Sequence, residues 1–209
     1  EIFKKGGHDV RLIGNIGNPI LASKKANKKT KDKDVEVIAK KLHSAALGIA
    51  ENEGYTAITI SRAAEVGGVP LGDAIYLYPS VTHLLSGLFN SIDKQILESL
   101  NLNPLEGDEV REKLFELMMR HFDTIQTTRG GFLAIINHLY KDPLNLAIFS
   151  TKFLQMLTWF LDVSGATSTG LAKNLQVKAL GVIYLFTLNS WKHDDTEDLS
   201  KTMATLDRA

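Results

Sequence analysis

The residues of this chain best suited to binding chemistry are methionine and aromatic side chains that recur along two predicted helices, 108–128 and 143–163. Side chains of these types can line a cavity for an apolar, flexible molecule. They also fill ordinary protein cores, so a close-packed core is the alternative interpretation. The candidate ligand-binding residues are Phe115, Met118, Met119, Phe122, Phe149, Phe153, Met156 and Trp159.

Metal-dependent or nucleophilic catalysis is not indicated by the sequence. His121, Asp123 and His138 could supply metal ligands, but their spacing matches no metal-binding motif. The absence of cysteine excludes thiolate ligands, cysteine nucleophiles and disulfides. The sequence also lacks HExxH, a helical Glu-x-x-His pair, a Ser/His/Asp motif and a glycine-rich phosphate loop. We therefore expect no enzyme activity, no cofactor and no metal.

A second set of candidate residues lies in 54–85, where the pattern predicts two short helices joined by a tight turn. Thr59 is suited to cap the first helix, 60–66, and Gly67-Gly68 can end it, because glycine readily adopts positive φ. Pro70 suits the first position of the second helix. Two short helices around a glycine turn form a helix-turn-helix, whose second helix reads DNA.

Glycines, tyrosines and a Pro-Ser pair follow a recognisable order in this stretch. Gly54-Tyr55 precedes the first short helix, Gly68-Val69 forms the turn, and Pro79-Ser80 opens the next helix. Tyr76 and Tyr78 hold two aromatic positions. This order resembles the N-terminal domain of TetR-family regulators, over residues 38–88. The resemblance implies a helix-turn-helix head on a helical body that contains an effector pocket.

The charge of the helix-turn-helix stretch departs from the family pattern. Arg62 is its only basic residue, whereas Glu65 and Asp73 are acidic, and phosphate contacts supply most nucleic-acid affinity. Pro70-Leu71 and Val81 stand where the family has a polar pair and a lysine. The predicted DNA contacts are Thr59, Arg62, Leu71 and Tyr76, together with Lys24, Lys25, Lys28 and Lys29 from the preceding segment.

That preceding segment, residues 1–33, is predicted to be a basic N-terminal arm. Between Lys24 and Lys33 it contains six lysines and one aspartate, a net charge of +5. It is either a solvated tail or an arm that contacts DNA phosphates and supplies the charge missing from the head. Earlier in the arm, 10–13 and 19–21 flank a Gly/Asn-rich turn and could form a short hairpin.

Apolar residues at helical spacing continue through the rest of the chain, which predicts an all-α fold of about nine helices. Asp34 is predicted to cap the first helix, and Gly130-Gly131 is predicted to end the helix at 108–128. The other predicted helices are 80–100, 132–140, 143–163, 171–191 and one that begins at Thr196. We divide this part into a helix-turn-helix domain, 34–80, and a ligand-binding and dimerisation domain, 81–209.

The last two predicted helices carry many apolar residues for peripheral helices. Either these residues pack on the body or they form a self-complementary dimer interface. The TetR resemblance implies the dimer, because the final helix pair of that family packs against its twin. The predicted interface residues are Leu175, Val182, Leu185, Phe186, Leu199 and Met203.

Composition places the chain among ordinary globular proteins. Its 209 residues can bury an ample core, and its formal net charge is zero, which disfavours a general nucleic-acid coat. We find neither a signal peptide nor an apolar run near the roughly 18 residues that cross a membrane. The expectation is a soluble, cytoplasmic protein with no stable membrane insertion.

Two functions are compatible with these patterns. The first is a TetR-like, ligand-responsive transcriptional regulator, a homodimer whose partners are DNA and a small apolar or lipid-like ligand. The alternative comes from LQVKALGVIYLFTLNSWKHDDTEDLSKTMATLDRA, which begins at Leu175. This stretch resembles the lipid-binding accessory proteins of ubiquinone biosynthesis, which share the TetR fold but do not act by reading DNA. The uncharged helix-turn-helix fits that alternative better.

Overall fold

The computed structural model describes the backbone of residues 19–209 and the side chains of residues 34–209. Within that part of the chain the backbone forms nine α-helices and one short 3-10 helix, Tyr55–Ala57, without any strand. The all-α prediction is therefore confirmed. The α-helices are α1 (Pro19–Asn52), α2 (Ile60–Gly67), α3 (Leu71–Leu77), α4 (Val81–Leu102), α5 (Val110–Gln126), α6 (Arg129–Leu139), α7 (Pro143–Ser164), α8 (Gly170–Trp191) and α9 (Ser200–Asp207).

The first helix begins earlier than predicted. α1 starts at Pro19, so Asp34 lies inside the helix and the predicted cap is wrong. Proline is favourable at a helix start, and neither glycine nor proline occurs again before Gly48. The predicted hairpin is wrong over 19–21, which is helical, and 10–13 lies outside the described residues. The side chains of the arm lysines at 24–29 also lie outside them, so their contact with DNA stays a prediction.

The chain divides into two compact units, residues 1–38 and 39–209. In the second unit, the part of α1 from residue 39 onwards forms the head together with α2 and α3. The Thr59 hydroxyl accepts a hydrogen bond of 3.1 Å from the Arg62 amide and caps α2 as predicted. Gly68 ends α2 with φ of 59°, a left-handed conformation that favours glycine. Pro70 precedes α3 as its N-cap residue and does not occupy the first helical position as predicted.

The body consists of α4 to α9, and α4, α5, α7 and α8 pack against one another as its core. α4 begins after Ser80, whose hydroxyl accepts a hydrogen bond from the His83 amide. Four residues of its predicted apolar stripe are buried: Leu84, Leu88, Ile92 and Ile96. Their spacing of three to four residues keeps them on one side of the helix. The head is therefore continuous with a helix that is anchored in the core.

Two glycines predicted to end a helix instead allow two helices to approach. Gly130 and Gly131 lie in the first turn of α6, and α5 ends before them at Gln126. A Cβ atom on Gly131 would lie 2.3 Å from the Leu47 carbonyl oxygen of α1, and one on Gly130 would lie 2.3 Å from Glu51 Oε1. Only glycine permits this contact, so the pair fixes how closely α6 packs on α1.

α7 requires a correction to the membrane expectation. Within the described residues it is the one helix long and apolar enough to cross a membrane, although the sequence pattern was interpreted as lacking such a run. Phe149, Met156, Leu157 and Phe160 are buried on the side that packs against the other body helices. Core packing therefore accounts for the apolar character of that side.

The turn between α8 and α9 is organised by Asp194, a fully buried carboxylate. It accepts hydrogen bonds from the backbone amide and hydroxyl of Thr202, at 2.7 and 2.8 Å, and from those of Thr196. These contacts place the start of α9 at Ser200, four residues later than predicted. Arg129 of α6 donates to the carbonyl oxygens of Lys192 and Asp194, at 2.8 and 2.6 Å, which connects this turn to the body.

Replacing Asp194 with Asn should lower the free energy of unfolding by about 1–3 kcal/mol, because buried donors of Thr202 lose their acceptor. Burial alone would raise the Asp194 pKa, but the hydrogen bonds from Thr196 and Thr202 outweigh it and lower the pKa to about 2. A lowered pKa stabilises the fold above the unfolded value of 3.8, and this stabilisation is lost as pH falls towards 2. Urea unfolding between pH 5 and pH 3 measures both effects, and Asp194→Asn should lose this part of the pH dependence.

Asp195→Asn is the matched control, because the Asp195 side chain is 89% exposed and lies 3.8 Å from Arg129. A surface pair of this kind contributes about 0–1 kcal/mol. Equal losses of stability in the two variants would contradict the role assigned to Asp194.

Candidate functional site

A cavity of about 240 Å³ lies inside the body, with walls from α4, α5, α6, α7 and α8. Most of its lining is apolar: Phe89, Ile92, Phe132, Ile136, Leu139, Leu146, Phe149, Phe153, Met156, Leu185 and Leu188. The polar residues of the lining are Asn90, Asp93, His121, Tyr140, Ser150, Lys152 and Tyr184. An apolar cavity with a few polar groups is the usual form of a small-molecule site.

The cavity receives only part of the set predicted from the sequence. Phe149, Phe153 and Met156 of α7 line it. Phe115 and Met118 of α5 line a second cavity of about 610 Å³ beside α8 and α9.

The three other predicted ligand-binding residues, Met119, Phe122 and Trp159, line neither cavity. Met119 and Phe122 are buried, and the Phe122 ring stacks on Tyr184 with 5.2 Å between ring centroids. Trp159 contacts Phe160 edge to face, at 4.5 Å between centroids. Most of the predicted α5 residues therefore pack in the core or face another side of the helix, which periodicity alone could not distinguish.

Aromatic residues outside the predicted pair of helices complete the lining. Phe89 of α4 meets Phe132 of α6 and Phe149 of α7, with centroids 5.8 and 5.3 Å apart and both pairs edge to face. Phe153 and Tyr184 make a third such contact at 5.1 Å. The available signal was the spacing of Phe89 and Asp93, four residues apart on α4 beside its buried stripe.

The buried polar groups of the cavity favour neutral His121 and Tyr184 side chains. His121 Nδ1 and the Tyr184 hydroxyl are joined by a hydrogen bond of 3.1 Å. Burial lowers the pKa of His121 to about 4 and raises that of Tyr184, so neither is charged at pH 7. His138 lies elsewhere, stacked on Tyr55, and the described residues contain no cluster of three metal-ligating side chains.

Asp93 is the acidic group of the cavity lining. Its removal from water raises its pKa to about 6, although interactions with Trp159 and Lys152 act in the opposite direction. The indole N–H of Trp159 is buried and beyond hydrogen-bond distance of any protein acceptor. Its influence on Asp93 is therefore that of a nearby dipole, not of a formed hydrogen bond.

The helix-turn-helix presents a largely apolar surface. Leu71, Ile75 and Tyr76 of α3 are exposed, Tyr76 to 90%, and α3 carries Asp73 but no basic residue. Arg62 is paired with Glu53 at 3.1 Å and with Glu65 at 2.9 Å. These are exposed ion pairs, which contribute little and can be exchanged for a phosphate at small cost.

Two aromatic contacts join the head to helices that line the cavity. The Tyr78 hydroxyl and His43 Nε2 are 2.8 Å apart, and the Tyr78 ring packs so closely on α4 that a Cβ atom on Gly87 would lie 2.5 Å from its hydroxyl. Burial lowers the pKa of His43 to about 4, so its ring is neutral at pH 7. Tyr55 stacks on His138 of α6 with centroids 3.9 Å apart and planes at 12°.

An apolar stripe runs along the exposed side of α8. Leu175, Val182, Leu185 and Phe186 are exposed, as is Met203 of α9. Leu199 is only 1% exposed and sits in the turn before α9 with φ of 53°, so the prediction that it contacts a second chain does not hold for this surface. Leu185 also lines the cavity of about 240 Å³.

No protein-family model and no curated protein sequence matches the chain. Solved structures do match its fold. A TetR transcriptional regulator from Nitrosomonas europaea has a TM-score of 0.68 at 16% identity, over 81% of this chain and 94% of that one. A TetR transcriptional regulator from Rhodococcus sp. RHA1 gives 0.58 at 14% identity, over 83% and 95%.

A third similar structure is the transcriptional regulator FadR from Bacillus subtilis in complex with stearoyl-CoA. It has a TM-score of 0.58 at 20% identity, over 80% of this chain and 95% of that one. Identities in this range establish the architecture, and the chain therefore has the TetR fold.

Replacing Met156 with Trp should fill part of the cavity and weaken the uptake of an apolar molecule. N-phenyl-1-naphthylamine, a neutral fluorescent probe, measures uptake by titration, and urea unfolding measures stability. A cavity that accepts the indole should lose less than the roughly 1–3 kcal/mol typical of overpacked cores. Leu144→Trp on the same helix is the control, because Leu144 is 73% exposed. Unchanged uptake in Met156→Trp, or equal loss in both variants, would show that the cavity does not hold the probe.

Proposed function

We propose that this TetR-fold chain is a ligand-responsive, DNA-binding transcriptional regulator that acts as a cytoplasmic homodimer. The observation that carries the proposal is the pair of aromatic contacts between the head and the walls of the cavity. Tyr78 packs on Gly87 of α4, two residues before Phe89, and Tyr55 stacks on His138 of α6, two residues after Ile136. Phe89 and Ile136 both line the cavity.

A ligand that binds between α4 and α6 acts on the head through these contacts. Because cores and interfaces are close-packed, a small displacement of α4 or α6 cannot be absorbed within the soft parts of the structure. The Tyr78 contact would then shift the head, and in a dimer the distance between the two heads would change. DNA half-sites are spaced by about 34–36 Å or multiples of that distance, so affinity depends on this separation.

On DNA, α3 would make mostly apolar contacts in the major groove. Leu71 and Tyr76 are exposed there, and apolar side chains contact the thymine methyl group. Thr59 and Arg62 at the start of α2 would contact the backbone, with Arg62 exchanging a carboxylate for a phosphate. The lysines of the arm would supply the remaining phosphate contacts and most of the electrostatic affinity.

The apolar lining of the cavity supports a small apolar or lipid-like effector. Phe149, Phe153 and Met156 supply one wall, and the six aromatic side chains and several aliphatic ones of the lining offer few hydrogen bonds. FadR, which has a similar fold, was solved with stearoyl-CoA, a molecule with a long acyl chain. We propose that the cavity of this chain holds the apolar part of its effector.

A second candidate function is a lipid-binding accessory protein of the TetR fold that does not read DNA. It is favoured by the surface of α2 and α3, where the one basic residue, Arg62, is paired with two carboxylates. In that function the cavity still binds an apolar chain, but the head serves another purpose. The two candidates differ in DNA affinity and agree on the cavity.

Selection from a random-sequence DNA duplex pool, followed by fluorescence anisotropy between 50 and 300 mM salt, separates the two candidates. A regulator enriches a two-fold symmetric site and loses affinity with salt at a slope of about −0.9 per phosphate contacted. Changing Lys24, Lys25, Lys28 and Lys29 to Gln should flatten that slope by up to four contacts. The matched control changes four lysines of the body, Lys94, Lys113, Lys141 and Lys201, to Gln. No enriched site at any salt concentration would exclude the regulator and leave the lipid-binding protein.

We also propose that the apolar stripe of α8, with Met203 of α9, is the dimer interface. Val182→Glu with Phe186→Glu places charges in an interface that excludes water, so we expect monomers in sedimentation velocity with unchanged helical content by circular dichroism. Leu102→Glu with Leu144→Glu is the control, because both leucines are exposed on other helices. A dimer that survives the α8 changes would show that the interface lies elsewhere.

A further inference from the structure

We propose that the cavity selects an apolar molecule that carries one positive charge, and that the Asp93 carboxylate binds this charge. The inference rests on the proposed function in one respect, namely that the cavity of about 240 Å³ is the ligand site. It goes further by assigning the chemical class of the ligand and the residue that selects it.

The carboxylate of Asp93 sits among apolar surfaces without adequate compensation. Asp93 is on the α4 wall beside Phe89 and Ile92, and no ion pair to Asp93 occurs among the described side chains. Carboxylates that leave water are normally paired or neutralised, because desolvation of a charge is costly. A cationic group of a ligand would supply the counter-charge that the protein does not.

Lys152 is the nearest candidate for an internal counter-charge, and it compensates only in part. Its ammonium group donates a hydrogen bond of 3.3 Å to Asn90 Oδ1, and Asn90 is exposed. The attraction of Lys152 lowers the Asp93 pKa, yet the desolvation of Asp93 prevails and the pKa still rises to about 6. Space for a second positive charge therefore exists on the cavity side of the carboxylate.

The rings around Asp93 suit a cation that is poorly hydrated. Phe89, Phe132 and Phe149 lie in edge-to-face contact with each other through Phe89, and all three line the cavity with Asp93. Aromatic faces attract alkylammonium groups by about 0.5–2 kcal/mol, depending on desolvation. The same rings accept an alkyl chain, so a single cavity can hold both parts of such a molecule.

An anionic ligand fits this wall less well. Its charge would approach Asp93, and repulsion within a low-dielectric cavity exceeds that in water. A neutral ligand would leave the carboxylate uncompensated or require it to be protonated. The cavity is smaller than the roughly 300–1,000 Å³ typical of drug-sized sites, which favours a compact ligand.

The charge selection predicts a specific dependence on pH. Below about pH 6 the Asp93 carboxyl is increasingly protonated, so affinity for a permanent cation should fall. The other ionisable groups of the lining are His121 on α5, Lys152 on α7, Tyr184 on α8 and Tyr140 after α6. His121 has a pKa near 4 and the pKa of Tyr184 is raised, so between pH 5 and pH 7 the change is assigned to Asp93.

Three probes with the same chain test the inference: octyltrimethylammonium, octanol and octanoate. Binding to the full chain is measured by isothermal titration calorimetry at pH 7 and pH 5. We expect octyltrimethylammonium to bind at least about tenfold more tightly than octanol at pH 7, and to weaken about tenfold between pH 7 and pH 5. Octanol affinity should not change with pH.

Two variants assign the effect to Asp93. Asp93→Asn keeps the shape of the side chain, so it should bind octanol as before, lose the preference for the cation and show no pH dependence. Lys152→Gln removes the neighbouring positive charge and should bind the cation as tightly as the unaltered chain or more tightly. A cation preference that survives Asp93→Asn, or stronger binding of octanoate than of octyltrimethylammonium, would overturn the assignment.

The outcomes also separate this inference from the proposed function. Tight binding of octanol or octanoate without a cation preference would reject the role of Asp93 and leave a ligand-binding regulator intact. If none of the three probes bound, the cavity would not be a site for molecules of this size, and both the inference and the ligand-responsive mechanism would fail.

Discussion

The close packing of α1 on α6 is the contact on which the rest of the arrangement depends. Gly131 lies against the carbonyl oxygen of Leu47, where a side chain of any size would force the two helices apart. This contact keeps the end of α1 beside α6 and brings Tyr55 onto the His138 ring. Because α6 also lines the cavity, the same contact sets the relation between the helix-turn-helix and the cavity wall.

The cavity combines a stabilising apolar lining with a destabilising carboxylate. The aromatic side chains contribute buried area, whereas Asp93 loses hydration that no partner in the protein fully replaces. Proteins retain such a group when binding requires it, at the expense of stability. The buried polar groups nearby behave differently, since His121 and Tyr184 satisfy one another and remain neutral. Asp93 is thus the group in the lining whose interactions are incomplete.

Much of the fold could be predicted from local patterns. The helix-turn-helix was predicted to within one or two residues, because Thr59, Gly68 and Ser80 act through contacts with residues a few positions away. Boundaries that depend on distant residues were predicted less well. Asp194 delays the start of α9 by bonding Thr202, and the glycines at 130 and 131 serve a contact with α1 instead of ending a helix.

The sequence by itself determined the all-α class, the order of the helices and the apolar character of the cavity wall on α7. These properties follow from helical periodicity and capping, which act within a few turns. Only the tertiary structure decided which aromatic residues face the cavity, because Phe122 and Phe153 have similar patterns and differ in the neighbours that α5 and α7 meet. It also decided that Leu199 is buried and that Asp93 borders the cavity, since burial depends on helices far apart in the chain.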